Sequence, residues 1–262
     1  MAIRATGAGG LDCKYQAHVK GQWKMSENPG AESKNDFRDF FAEVEPLQMW
    51  EPFAQTLGVF KKEDAVMEYG FLDVVKMAGH ACPTTAGAYL CCLQALKTLY
   101  RDETPIRGDI AITVCGESDE GVYGVIGQVF SLLTGAAPES GFRGLGHKFK
   151  RKDLLVFNPQ KIDPQALCFE FTRMDTGQTV LIKFYPHRIP FPTEKSKRMG
   201  ELMQKVLWEA AKQDEIRQFQ NLWMEKVSEM LVKQTDINQW IKIETRKDKK
   251  NEAGKNHRST GP

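Results

Sequence analysis

Gly79-His80-Ala81-Cys82-Pro83-Thr84-Thr85-Ala86-Gly87-Ala88-Tyr89-Leu90-Cys91-Cys92-Leu93-Gln94-Ala95-Leu96-Lys97-Thr98-Leu99-Tyr100 is the stretch on which the fold turns. Proline fixes its own φ and lacks an N–H, so Pro83 suits the first turn of a helix. From Ala86 to Tyr100 the apolar residues Leu90, Leu93, Ala95, Leu96 and Leu99 leave almost no polar face, the signature of a central, buried helix. His80 and Cys82 then fall in the loop before it. The orphan N–H groups of a helix start favour a thiolate there, and an imidazole two residues away completes a pair of ligands suited to zinc or a late transition metal.

Upstream, Ala65 to Tyr69 reads as a strand, and Phe71, Leu72 and Val75 share one helical face leading into the Gly79 turn. Phe37, Phe40, Phe41 and Val44 predict a helix behind Asn35 and Asp36, and a second short helix is expected from Met49 to Leu57. Downstream, Asp109 to Cys115 is β-branched and reads as a strand ending at Gly116. A second apolar helix runs from Val122 to Leu133 and stops at Gly135. Leu154 to Phe157 is a further strand. The runs 166–173 and 179–185 flank Asp175-Thr176-Gly177, a strong hairpin signal. From Ser196 to Lys233 the pattern is helical, with Met199, Met203, Phe219, Trp223 and Met230 in an apolar stripe, and Trp240 and Ile241 as anchors. This order predicts an α+β fold: a mixed or antiparallel open sheet with two apolar helices packed on one face, plus a C-terminal helical appendage. The boundaries expected are a flexible leader over 1–34, the α+β core over 35–190, the appendage over 191–241 and a charged, disordered tail over 242–262.

The 262 residues carry a formal net charge of +2 and are 41 % hydrophobic, as expected of a globular chain with polar flanks. No apolar run approaches the ~18 residues of a membrane span, and residues 1–10 lack the apolar core of a signal peptide, so a cytoplasmic location without a membrane partner is expected. The segment from Lys242 to Arg258 holds seven Lys and Arg against three Asp and Glu, or +4, which leaves the rest slightly acidic. A nucleic-acid-binding body would instead need a basic face on its folded part.

The six cysteines, at 13, 82, 91, 92, 115 and 168, have no disulfide-framework spacing. Cys91, Cys92 and Cys168 lie inside apolar elements and are expected to be packing residues, and Cys13 is incidental. Cys115 ends a strand and is the expected third metal ligand beside His80 and Cys82, with Glu117, Asp119 and His147 as other residues able to join. Against this stands the plain alternative that a single His-x-Cys pair arises by chance and that free cysteines are commonly buried. His147, Lys148 and Lys150, in the basic run 147–152, could hold an anion or substrate, although such runs are usually solvated. No phosphate loop, Gly-x-Ser-x-Gly elbow or His-Glu-x-x-His helix is present.

The Gly-His-x-Cys-Pro stretch opens an apolar helix. A strand follows, then a helix closing on Leu133-Thr134-Gly135, then a Gly- and Lys-rich turn into Leu154-Leu155-Val156-Phe157. In this order, over roughly residues 65–185, the chain resembles the FmdE-like family, which takes its name from a component of formylmethanofuran dehydrogenase, an enzyme of methanogenesis. The resemblance implies an α+β core that pairs as a homodimer, with a metal or active site on the motif loop. His80 and Cys82 match position by position. The chain departs from the family at Ala78, where a His is common, at Thr84 in place of Gly, and at the head of the second helix, where a Cys is common and Val125 stands.

Three functions are expected to compete. The first is metal binding by His80, Cys82 and Cys115, with zinc the first expectation, in anaerobic one-carbon or redox metabolism. The second uses Cys82 as a catalytic or redox thiol. The third is a non-enzymatic module that presents the C-terminal helix to a protein partner, set against packing of that stripe on the protein's own core.

Overall fold

In the computed structural model, residues 38–62, 66–159 and 162–246 are described. The expected leader, with Cys13 and Trp23, and the tail beyond Arg246 lie outside the described residues. The elements in chain order are β1 (Leu47–Trp50), α1 (Pro52–Thr56), β2 (Val66–Tyr69), α2 (Phe71–Ala78), α3 (Pro83–Tyr100), β3 (Ile110–Val114), α4 (Tyr123–Thr134), β4 (Gly144–Leu145), β5 (Phe149–Lys150), β6 (Leu155–Phe157), β7 (Leu167–Arg173), β8 (Thr179–Phe184), α5 (Thr193–Leu207), α6 (Gln213–Ser228), α7 (Ile237–Trp240) and β9 (Ile241–Arg246).

Five strands form an open mixed sheet in the order β6-β3-β7-β8-β9. Only the β3–β6 pair is parallel; β3–β7, β7–β8 and β8–β9 are antiparallel. This is the expected α+β architecture. Strand alternation divides the two faces. Ile110, Ile112, Val114, Phe169, Phe171, Val180, Ile182 and Phe184 point into the main core, where α3 and α4 lie on that single face. Thirteen of the 18 residues of α3 are buried. Phe130 of α4 meets Phe169 and Phe171 edge to face, at 5.0 Å to each. Gly87 lets α3 close on β8: a Cβ there would stand 2.3 Å from the Phe184 ring.

Turns and helix ends follow the glycines. Gly135 ends α4 at φ +73° and Gly177 turns the β7–β8 hairpin at φ +72°, both left-handed conformations that glycine adopts without steric cost. Two sequence expectations are corrected. The expected helix over Met49 to Leu57 is a helix only from Pro52, because Met49 is fully buried in β1, which pairs with β2 through Leu47↔Tyr69 to Trp50↔Val66. Of the helix expected behind Asn35 and Asp36, the described residues from Arg38 to Val44 hold a short 3-10 helix, Asp39–Glu43, in place of an α-helix.

The boundary at 242 also moves. Residues 242–246 belong to β9, which adds a strand to β8 in the register Phe184↔Ile241 to Thr179↔Arg246. Its charges are compatible with a strand because it is an edge with a wet face, and Lys183 Nζ meets Glu244 at 2.6 Å while Arg246 pairs with Glu170. The helical appendage is thereby joined to the core: Val227, Met230, Leu231 and Trp240 are buried with α3 and Phe184. From Arg38 onward the described residues form one unit, with α5 and α6 as a helical hairpin on it. The C-terminal part of the apolar stripe therefore meets the protein's own core, with Met230 1 % exposed. Among the described residues no helix is long and apolar enough to cross a membrane.

Gly87→Val should drive a branched side chain into Phe184 and lower stability by about 1–3 kcal/mol, the usual cost of overpacking. Urea unfolding should show an earlier midpoint with an unchanged slope.

Candidate functional site

The loop between α2 and α3 is fixed at every residue by short-range chemistry. Gly79 caps α2 in the left-handed conformation, φ +74°, and its N–H donates to Val75 O at 2.8 Å. His80 is exposed, and its Nδ1 lies 2.9 Å from Ala78 O, one of the carbonyls the helix end leaves without a partner. A carbonyl only accepts, so Nδ1 carries a proton, and in the neutral ring the lone pair is then on Nε2. Ala81 O accepts from Trp223 Nε1 at 2.9 Å, which ties the loop to α6.

Cys82 is the N-cap of α3. Its backbone N–H donates to Thr85 Oγ1 at 3.1 Å, and its Sγ accepts from the Thr85 N–H at 3.4 Å. A thiol thus fills the role usually held by Ser or Asp, with Pro83 at the first helical position. Cys82 is 8 % exposed. His80 and Cys82 project from one rigid loop, one solvent-facing and one nearly buried.

The third expected ligand does not join them. Cys115 follows the core-facing Val114, so strand alternation turns it to the opposite sheet face, into a small cluster with Cys168 and Leu181. Its N–H donates to Cys168 O at 2.9 Å. Burial, reinforced by Cys168, pushes the Cys115 thiol up to about 12, which suits a packing residue rather than a thiolate ligand. Cys91 and Cys92 are fully buried in α3 as expected, and burial raises both thiols. Among the described residues no three His, Cys, Asp or Glu side chains gather as a metal cage.

The basic run 147–152 divides by strand alternation. His147, Lys148 and Lys150 are exposed, Lys150 pairs with Asp153 at 3.4 Å, and Lys148 Nζ sits 5.3 Å over the Phe149 ring. Arg151 is different, being 2 % exposed. Its Nη2 donates to Glu51 Oε1 at 2.6 Å, and Glu51 Oε2 accepts from Arg107 Nη1 at 2.9 Å. Arg107 also donates from Nε to Leu133 O and from Nη2 to Leu132 O, answering the free carbonyls at the end of α4. Glu51 Oε1 further caps α1 by accepting from the Phe53 N–H. Burial pulls the Arg151 guanidinium down from its ordinary value, the Glu51 carboxylate opposes this, and the charge of Arg107 adds to it.

Arg151 and its partners line a cavity of about 230 Å3. A wider groove of about 840 Å3 runs beside it along α4 and the edge strand β6, with Glu139 and Asp153 on its wall. Sequence reasoning missed the buried cluster, since Glu51, Arg107 and Arg151 stand 56 and 44 residues apart along the chain. The one local signal was the alternation in Lys148-Phe149-Lys150-Arg151-Lys152, which places Arg151 on the same side as Phe149.

No family model matches the chain, and no curated protein does.

Glu51→Gln leaves the buried Arg151 and the partly buried Arg107 without their carboxylate and should cost about 3–5 kcal/mol, read as the shift in urea midpoint. In native protein, Cys115 should react with iodoacetamide at pH 8 at under about a tenth of its rate in urea, since burial holds it as the thiol. Mass spectrometry of the tryptic peptide gives both rates.

Proposed function

We propose that this chain is a cytoplasmic metal-binding protein of FmdE-like type, which takes a divalent transition metal, zinc first, on the loop of His80 and Cys82. The observation that carries the reading is the hydrogen bond between His80 Nδ1 and Ala78 O at 2.9 Å. Imidazole ligands of metals commonly give their second ring N–H to a carbonyl or carboxylate, which sets the tautomer and aims the other nitrogen. His80 has that arrangement with its free nitrogen toward solvent. Cys82 adds a thiol within the same rigid loop, and Gly79, Thr85 and Trp223 hold both residues in place.

His80 and Cys82 would be the protein ligands, and Cys115, on the opposite face of the sheet, would not be one. A bound ion would supply Lewis acidity and would keep coordination positions open to a small ligand or to a group from a second copy of the chain, in keeping with the homodimer that the resemblance implies. This chain's residues orient the imidazole, hold the thiol at the helix start and shield it from bulk water. Association with anaerobic one-carbon or redox metabolism belongs to the same proposal.

A second reading makes Cys82 a nucleophilic or redox thiol. It is supported by the place of Sγ at the start of α3, where it accepts from the Thr85 N–H at 3.4 Å.

Metal analysis of protein purified without a His tag separates the two. The double variant His80→Ala/Cys82→Ser retains a good N-cap, so its fold should persist. Zinc per chain should fall at least tenfold in it and stay unchanged in Cys115→Ser. Equal metal content in wild type and double variant would sink the metal reading. Retained thiol chemistry in metal-free wild type, lost in Cys82→Ser, would support the second.

A further inference from the structure

The cavity beside Arg151 is unlike an ordinary packing gap in three respects. The first is charge. Arg107 and Arg151 carry two positive charges against the single Glu51 carboxylate, leaving a surplus of one, with Arg151 buried and Arg107 partly exposed. Two of Arg107's nitrogens are committed to the last carbonyls of α4, and both oxygens of Glu51 already accept from the arginines.

The second is an unanswered donor. Among the described residues, Arg151 Nη1 is buried without a hydrogen-bond acceptor. It lies against Gly135, a lining residue of the cavity, where a Cβ would come within 2.5 Å of it, and against Gly108, where a Cβ would come within 1.7 Å. Both glycines also hold left-handed backbone, at φ +73° and +89°. The guanidinium is therefore held in place by backbone that tolerates no side chain. A buried charged donor without an acceptor costs free energy that a matching anion would recover.

The third is the wall. Phe53 stands on one side with Phe142 stacked against it at 6.2 Å and Phe149 at 5.1 Å, and Ala137, Pro138 and Gly141 complete an apolar lining. Phe142 is 59 % exposed at the mouth, where it acts as a door more than as core. At about 230 Å3 the cavity is smaller than the ~300–1,000 Å3 of sites for drug-sized ligands, so its occupant is of fragment size.

From this geometry we infer that the chain binds a small monocarboxylate bearing a flat apolar group, with the carboxylate on Arg151 and the apolar group against the wall of Phe53 and Phe142. A single negative charge matches the surplus of one, whereas inorganic phosphate would leave the aromatic wall unused. The site is separate from the His80–Cys82 loop and stands whether or not that loop takes a metal.

Titration calorimetry on the full chain tests this with benzoate as probe, benzyl alcohol as its neutral counterpart and phosphate as the inorganic anion, all at matched ionic strength. Benzoate should bind one per chain, about tenfold or more tighter than benzyl alcohol, since a charge-assisted hydrogen bond distinguishes them. It should also bind tighter than phosphate. Arg151→Lys risks the fold, so two other variants locate the site without touching the ion cluster. Phe142→Ala removes the exposed door, and Ser131→Leu fills the cavity from α4. Each should weaken benzoate at least fivefold with an unchanged unfolding midpoint. No saturable benzoate binding, equal binding of benzyl alcohol, equal or tighter phosphate, or benzoate affinity indifferent to both variants would each overturn the inference.

Discussion

The carboxylate of Glu51, held between Arg107 and Arg151, is the contact on which the arrangement around α4 depends. Three segments far apart in the chain meet at it: the start of α1, the turn before β3 and the residue that directly follows β5. Through Arg107 it also reaches the last carbonyls of α4, so the negative end of that helix is answered by a guanidinium whose own charge is balanced by Glu51. A buried ion cluster is a weak source of net stability but is costly to break in part. Its role here is to fix where the helix ends relative to the sheet edge, and with it the walls of both the small basic cavity and the larger acidic groove.

The rigidity of the His80–Cys82 loop has a different origin. A left-handed glycine, a reciprocal Cys82–Thr85 cap and one tryptophan N–H from α6 each restrain one residue. The last of these is the most telling, because α6, part of the residues 191–241 that sequence reading set apart as an appendage, supports the loop directly. Helical hairpin and candidate metal loop are thus mechanically one object, although some 140 residues separate Ala81 from Trp223.

Much of the sheet-and-helix core was legible because its signals are local. An all-apolar helix after a proline, a glycine stop at 135, and β-branched runs around Asp175-Thr176-Gly177 each name their own structure. What was not legible depends on partners distant in sequence. Met49 reads as part of a helix until β2 is available to pair with it, and Lys242-Ile243-Glu244-Thr245-Arg246 reads as a solvated tail until β8 offers an edge and Lys183 and Glu170 offer opposite charges. At the loop, the sequence named His80 and Cys82 and their neighbourhood with a helix start. It placed Cys115 with them because strand order alone does not say which face the residue after a strand will take. Arg151 was hidden in a run of lysines, and only the in-out alternation around Phe149 distinguishes it.

The strand β9 has a consequence for how the molecule is made. Its partner β8 leaves the ribosome nearly 60 residues earlier, with Phe184 waiting for Trp240 and a row of unpaired amides along its outer edge. Until residues 240–246 emerge, α3 already has its sheet but the sheet has an open side, and a nascent chain in that state can pair with a neighbour as readily as with itself. Lys183 puts a charge on that edge until Glu244 pairs with it, and a lysine on an open edge disfavours edge-to-edge pairing of two copies.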